Sequence, residues 1–360
     1  MLKFVSDSIK NLVPYQPGKP IEELEREIGI KGVIKLASNE NPLGASRKAI
    51  DAIKEYMDKK VHRYPDGGGF YLRRALAKKW GVSMESVILG NGSNEIIELL
   101  IRTLVSPGDN AVTSENTFSV YRLIMTAANG SIITVPMKDE RFDLKAIAGK
   151  INSRTRLVFI ANPNNPTGTM VTAPEMKDFM SSVPHDVMIV FDEAYAEYVT
   201  SDQYPDSLSY LKDGRNVTIL RTFSKIYGLA GLRIGYGLTT VEIADMMNRV
   251  RQPFNTNALA QVGALAALED VSHIEESRRI NNEGKEYLYK EFDSMGIDYI
   301  PTEANFIYFR AGDEGRAIFN AMLKDGIIIR HMGGANLRVT IGLPEENRKF
   351  VAVLTKALGK

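Results

Sequence analysis

The 360-residue sequence predicts an α/β protein: a large domain with a mostly parallel sheet between helices, followed by a smaller α+β domain. Three observations carry this. Between about residues 85 and 240, short apolar runs alternate with longer segments of helical period, and uninterrupted hydrophobicity is what a strand covered on both faces requires. Beyond Pro253 the order changes to two long helical patterns and then short strands and helices, the pattern of a small sheet with helices grouped beside it. The first forty residues, punctuated by "PYQPGKP", read as an arm that packs on something else. The division expected is an arm over 1–40, a large domain over 41–250 and a small domain over 251–360.

In chain order, the strands of the large sheet are expected at "SVILG", "AVTS", "SIITVP", "RLVFIAN", "VMIVFDE" and "VTILRT". Helices fit between them. "SNEIIELLIRTLV" begins with Ser93 in a capping position and Glu95 in its first turn, and "APEMKDFMSSV" carries Pro174 near its start. The small domain opens with the helices "TNALAQVGALAALED" and "SHIEESRRINNEGKEYLYKEFDSM", whose basic run reads as a solvated face. Strand-like "NFIYFRA", a further helix, strand-like "GIIIRH" and "LRVTIG", and the helix "EENRKFVAVLTKAL" complete it. There is no internal repeat and no low-complexity tract.

Composition narrows the function. With 45 basic against 44 acidic residues, the chain has no field that would gather nucleic acid or an anionic membrane surface, so any anion must be bound locally. The absence of cysteine removes disulfides and thiolate chemistry, and fits the reducing cytoplasm. No apolar stretch approaches a membrane span, and the N-terminus has neither the apolar core of a secretory signal nor, with Asp7, the character of a transit peptide. The four histidines show no metal spacing, and no metal site is expected. Neither a Walker lysine nor an early G-x-G-x-x-G is present, which excludes the common ATP and NAD motifs.

Ligands of an open parallel sheet sit at the carboxyl ends of its strands, and several of those ends are unusually polar here. "GNGSN" (90–94) precedes a helix N-terminus, whose free N–H groups suit a phosphate, although a plain helix cap explains it as well. Asp192 ends an apolar run, where its carboxylate serves either as a helix cap or as the partner of a protonated ring nitrogen. Lys225, followed by "IYGLAGLRIG", has small neighbours that leave room for a bulky planar group, and lysine is the amine that bonds carbonyls once its pKa falls. A phosphate-ready helix start, a strand-end acid, a strand-end lysine and Arg233 on one sheet edge are together what pyridoxal phosphate requires.

With "NLVPYQPGKPIEELEREIGI", "IKLASNENPLG", "HRYPDGG", "GNGSNEII", "ANPNNPTG", "FDEAYAEY", "TFSKIYGLAGLRIGY" and "LRVTIG" in this order, nearly the whole chain resembles the fold type I, pyridoxal-phosphate-dependent aminotransferases of class I and II. "PYQPGK" and "ASNENPLG" point to their histidinol-phosphate branch. The resemblance implies transamination of L-histidinol phosphate with 2-oxoglutarate, in the histidine pathway, with pyridoxal 5'-phosphate as cofactor. An aromatic amino acid aminotransferase and a threonine-phosphate decarboxylase use the same electron sink and stay as alternatives, with a non-enzymatic cofactor-binding regulator behind them.

On this resemblance Lys225 bonds the cofactor and then acts as base, Asp192 keeps the ring nitrogen protonated, and Asn165 and Tyr195 bond the ring oxygen. Gly92, Ser93, Asn94, Thr222, Ser224 and Arg233 surround the phosphate. Phe118 stacks on the ring where the family often has tyrosine. Tyr64 reaches the phosphate and Tyr15 the substrate from a neighbouring subunit, which implies a homodimer with shared sites. Arg338, Arg330 and Asn39 are the substrate contacts, a guanidinium being suited to carboxylate and phosphate alike.

Overall fold

The computed structural model describes residues 2–312 and 315–360. Seven strands form the large sheet, in the spatial order Val87–Gly90, Gly235–Leu238, Val217–Thr222, Met188–Asp192, Thr155–Ala161, Asn110–Ser114 and Ser131–Val135. All are parallel except Gly235–Leu238, which runs antiparallel to both its neighbours. The six strands expected between 86 and 193 and at 217–222 are therefore present, and the glycine-rich "GYGL" adds a seventh that its composition hides. Apolar side chains leave both faces of the sheet, into one cluster containing Val158, Ile189 and Ile219 and another containing Leu157, Val190 and Leu220. Continuous hydrophobicity thus reflects burial on two sides, as expected of a parallel sheet.

A second, antiparallel sheet has the order Arg330–Gly333, Asn336–Thr340, Phe306–Arg310 and Asp298–Ile300. The helices Val271–Met295, Gly315–Lys324 and Pro344–Ala357 cover it, with Phe292, Phe309 and Phe350 in their common core. The N-terminal segment is more structured than an arm of turns. Ile21–Ile28 is a helix that buries Leu24, and Ile34–Lys35 pairs in parallel with Ile327–Ile328. Among the described residues no helix is long and apolar enough to cross a membrane.

Two local readings are corrected by the structure. Ser93 is the first helical residue of Ser93–Leu104 rather than its cap, a position held by Gly92 at φ 76°. Instead of a serine hydroxyl, the Glu95 carboxylate accepts from the Asn91 N–H at the helix entrance, which leaves the Ser93 end open toward the sheet edge. Two of the glycines after Lys225, Gly228 and Gly235, admit backbone rather than a planar group. A Cβ on Gly228 would lie 1.9 Å from the Gly44 carbonyl oxygen, and one on Gly235 only 2.5 Å from the Ser93 nitrogen. They permit backbone to meet backbone, which seats the 44–45 turn and the helix start against the 223–235 segment.

Candidate active site

A cleft opens where the carboxyl ends of Thr155–Ala161, Met188–Asp192 and Val217–Thr222 meet the start of helix Ser93–Leu104. Its wall contains Lys225, Asp192, Asn165, Tyr195, Phe118, Ser93, Asn94, Thr222, Ser224 and Arg233. Tyr15, Asn39, Arg330 and Arg338 complete its other end, so Tyr15, expected to arrive from a neighbouring subunit, lies in the cleft of its own chain, with its ring 6.0 Å from the Arg330 guanidinium. Of the residues singled out from sequence, two lie outside the cleft. Gly92 stands behind it, where a Cβ would come 2.4 Å from Arg233 Nη2. Tyr64 is 81% exposed and stacks on the Phe254 ring at 4.7 Å.

Lys225 leaves the turn after strand Val217–Thr222, and its Nζ donates to the Ser38 carbonyl at 3.0 Å while lying 5.6 Å from the Tyr195 ring centre. Burial, and then the nearby Arg338, Arg233 and Lys35 charges, push its pKa down to about 7, against the opposing pull of Glu40. An amine poised there is neutral in an appreciable fraction of molecules near pH 7 and can act as nucleophile or base.

Asp192 is buried at the end of its strand, as its apolar run requires. Its Oδ2 accepts from the Tyr121 hydroxyl at 2.6 Å, and its Oδ1 is buried without a hydrogen-bond partner. Burial raises its pKa, and the Tyr121 hydroxyl, the Ala194 N–H and the Lys225 charge oppose that rise. An unpartnered buried carboxylate oxygen is costly, and it marks the place for a donor that the chain does not supply. The carboxylate caps no helix, since the three-residue turn that follows begins after Tyr195.

Arg233 sits at φ 57°, a left-handed conformation uncommon for a residue with a side chain, between the turn Ala230–Leu232 and strand Gly235–Leu238. Its Nη1 donates to Ser224 Oγ at 3.2 Å, and the Ser224 N–H donates to Thr222 Oγ1 at 3.1 Å. The guanidinium, two hydroxyls and the free N–H groups of a helix start form one cationic, donor-rich corner that fits a phosphate.

At the other end, Arg338 is 7% exposed and projects from strand Asn336–Thr340 over the Phe306 ring. Its Nη2 donates to the Ala37 carbonyl at 2.7 Å, its Nη1 donates to Asn165 Oδ1, and its Nε is buried without a partner. Arg330 donates to the Gln16 carbonyl at 2.5 Å, with its guanidinium 6.0 Å from the Tyr15 ring centre. Asn39, at φ 55°, donates through Nδ2 to the Tyr195 hydroxyl at 2.9 Å, and its backbone is held by Thr340 Oγ1 and Asn305 Nδ2.

Sequence reasoning missed Tyr121 and the carbonyls of Ala37 and Ser38. Tyr121 lies outside every quoted motif, and only its spacing of three from Phe118, one helical turn, marks it. The carbonyls leave no trace in side-chain identity.

The cleft as a whole fits a flat heteroaromatic ring bearing a phosphate: Phe118 offers an aromatic wall, the orphaned Asp192 oxygen would accept an N–H, and the Arg233 corner would take the phosphate. Comparisons with known proteins agree with that geometry. Residues 31–354 match the family model "Aminotransferase class I and II". A histidinol-phosphate aminotransferase of Moorella thermoacetica is 51% identical over 357 residues, covering 98% of this chain and 92% of the relative. Histidinol-phosphate aminotransferase 2 of Pseudomonas fluorescens is 48% identical over 365 residues, covering 100% and 98%. Among solved structures, the histidinol-phosphate aminotransferase of Sinorhizobium meliloti in complex with pyridoxal-5'-phosphate superposes with a TM-score of 0.91 at 28% identity, covering 99% of this chain and 98% of that one. By the match over nearly its whole length and by the architecture around its cleft, the chain belongs to the class I and II aminotransferases.

Proposed function

We propose that this chain transaminates L-histidinol phosphate. With pyridoxal 5'-phosphate bound, it takes the amine of histidinol phosphate, releases imidazole acetol phosphate, and passes the amine to 2-oxoglutarate, which leaves as glutamate. The observation that carries this is the convergence in one cleft of an amine with pKa lowered to about 7, a buried carboxylate with one unpartnered oxygen, and guanidinium groups at both ends. The names of relatives at 48% and 51% identity support the substrate and its place in histidine biosynthesis.

The bound cofactor supplies an aldehyde for the lysine and a cationic ring that withdraws electrons from the substrate carbon. The chain does the rest. Lys225 Nζ would hold that aldehyde, and as an amine neutral near pH 7 it would take and return the proton at the substrate carbon. Asp192 Oδ1, buried without a partner, would accept the ring N–H and so keep the ring cationic. Asn165 gives its carbonyl oxygen to Arg338, and the Tyr195 oxygen accepts from Asn39, so each keeps a donor for the ring oxygen. Ser93, Asn94, Thr222, Ser224 and Arg233 hold the phosphate at the helix start.

Arg338 serves two partners in turn, the α-carboxylate of glutamate and the phosphate of histidinol phosphate, because its planar fork matches both. Arg330, Tyr15 and Asn39 flank it and complete the substrate end. We read the chain as an arm (1–40), a cofactor-binding part (41–250) and a part that carries the substrate arginines (251–360). Two separate sheets support a division into two parts, while helix Ala258–Leu268 packs Ala260, Ala264 and Ala267 into the cluster of the cofactor-binding part.

The working unit is a cytoplasmic homodimer with shared sites. Its support is the exposed apolar surface at Met57, Val61, Tyr64, Phe70, Tyr71 and Phe254, where Tyr64 can serve a neighbour's cleft. Initial rates with histidinol phosphate, phenylalanine and threonine phosphate test the substrate. Histidinol phosphate should be preferred, and a wide margin for phenylalanine would overturn the substrate while leaving the fold intact.

A further inference from the structure

The carboxylate of Asp192 is held by a residue outside every recognised motif. Tyr121 is fully buried, and its hydroxyl donates to Asp192 Oδ2 at 2.6 Å. Its ring stacks on Phe159 with centroids 4.5 Å apart and planes 7° apart. Its edge meets the Phe118 ring at 5.6 Å in a T-shaped contact. Phe118 and Asp192 both line the cleft, so one immobilised side chain touches the ring-stacking wall and the acid together.

Two consequences follow from elementary chemistry. A carboxylate offers about four acceptor sites on two oxygens, and with Oδ2 already in a short hydrogen bond the oxygen with no partner is the one a new donor meets first. Here that is Oδ1, which is buried without a partner. A phenol donating to a carboxylate also stabilises the anion, against a burial that favours the neutral acid, and a neutral acid could not accept a ring N–H through both of its oxygens. The groups that face Asp192 and carry or exchange charge are Tyr121, Lys225 and Tyr195.

We propose that Tyr121 is a positioning residue: by bonding Asp192 Oδ2 and abutting Phe118, it fixes the carboxylate so that Oδ1 meets the cofactor ring nitrogen in register with the stacking ring. This rests on the function proposed above. Tyr121 touches neither substrate nor cofactor in this arrangement and acts through its two neighbours.

The test is a double-mutant cycle on the holoenzyme with Tyr121→Phe and Asp192→Asn. Phenylalanine fills the same ring slot on Phe159 and Phe118, so the fold survives, and a thermal melt checks this. In Tyr121→Phe, loss of pyridoxal phosphate on dialysis should quicken about tenfold and kcat should fall by a similar factor, the size of one lost hydrogen bond to a charged group. KM for the amino donor should stay within about twofold, because the substrate end is untouched. In the Asp192→Asn background the same change should alter cofactor retention by less than about twofold. Unchanged retention and kcat in Tyr121→Phe would overturn the proposal, as would effects that multiply independently in the double variant. If the wild-type protein takes up no pyridoxal phosphate at all, the functional reading falls and this proposal with it, whereas a wild type that binds and turns over isolates the question to Tyr121.

Discussion

The two ends of the cleft are built differently. Asp192, Thr222 and the turn carrying Lys225 hang from adjacent parallel strands of one sheet, and their polar contacts run largely between side chains: Asp192 with Tyr121, Arg233 with Ser224. Arg338 and Arg330 hang from the second sheet, and both are tethered by backbone carbonyls of the N-terminal segment, at Ala37 and Gln16. The acid and lysine end is therefore borne by one sheet, with Tyr121 of helix Val120–Ala127 and the Ser38 carbonyl bonded to it. The arginine end exists only where three parts of the chain meet, and Ser38, whose carbonyl holds Lys225, joins the two. Chemistry should consequently be lost outright by changes at the first end and graded by changes at the second.

The largest effect is expected from Lys225→Ala. On the proposed function it would remove both the covalent anchor and the base, and turnover should drop by about 10⁴-fold or more in a single-turnover assay. Wild-type protein should be yellow, and borohydride should fix the chromophore to a peptide containing residue 225. A colourless Lys225→Ala protein with full turnover would refute the mechanism. Asp192→Asn comes next: an amide can still touch the ring nitrogen but cannot hold its proton by charge, and kcat should fall by about 10² to 10³. A loss below tenfold would mean that the sheet-borne end does not depend on its carboxylate.

The same contrast governs what the sequence made legible. Strand-end residues at 90–94, 162–168, 192–195 and 222–225 stand out because continuous apolar runs break into polar ones, a consequence of burial on both faces that any reader of hydrophobicity can see. Strand Gly235–Leu238 was hidden because Gly235 must lack a side chain to admit the Ser93 nitrogen, and glycine reads as a turn. Arg338 and Arg330 carry no periodic signal of their own and were found only through resemblance. What fixes them, the carbonyls of residues 37 and 16, is backbone, and backbone groups are the same in every sequence. Tyr121 escaped for a further reason: a buried aromatic on a helix is core by default, and only its partner's identity makes it more.

At the arginine end, Arg338→Lys keeps a charge and loses the fork. One ammonium cannot serve Asn165, the Ala37 carbonyl and a bidentate ligand together, so kcat/KM should fall roughly 10- to 100-fold, mostly through KM. A pure kcat loss would mean that Arg338 acts on the acid and lysine end through Asn165, which would blur the distinction between the two.

Lys225 gives a pH signature set first by burial and then by the Arg338 charge of the other end. Its folded-state pKa of about 7 lies below the ordinary 10.5, so the cofactor-free protein binds one proton fewer than the unfolded chain between those values. Its stability should therefore rise with pH across that window, and the contribution should flatten below about 7, where both states are protonated. The rate at which cofactor-free protein captures pyridoxal phosphate requires the neutral amine. It should increase about tenfold per pH unit up to about 7 and level off above. A plateau reached only near 10 would show that the cleft leaves the lysine unperturbed.

The smallest effect is expected at Phe118. Phe118→Tyr adds a hydroxyl at the cleft wall without disturbing the T-shaped contact that the ring makes with Tyr121. Stacking on the cofactor is retained, and Phe118 is only half-buried, so stability should change by no more than about 0.5 kcal/mol. With Arg233, Ser224, Thr222 and the Ser93 helix start already gathered at the phosphate corner, one more donor should improve cofactor retention by less than about threefold. Dialysis of the two holoenzymes side by side measures the difference. A gain of tenfold or more would mean that the sheet-borne end is not complete without that hydroxyl, and that this chain compensates for its absence elsewhere, with the exposed Tyr64 ring as the first place to look.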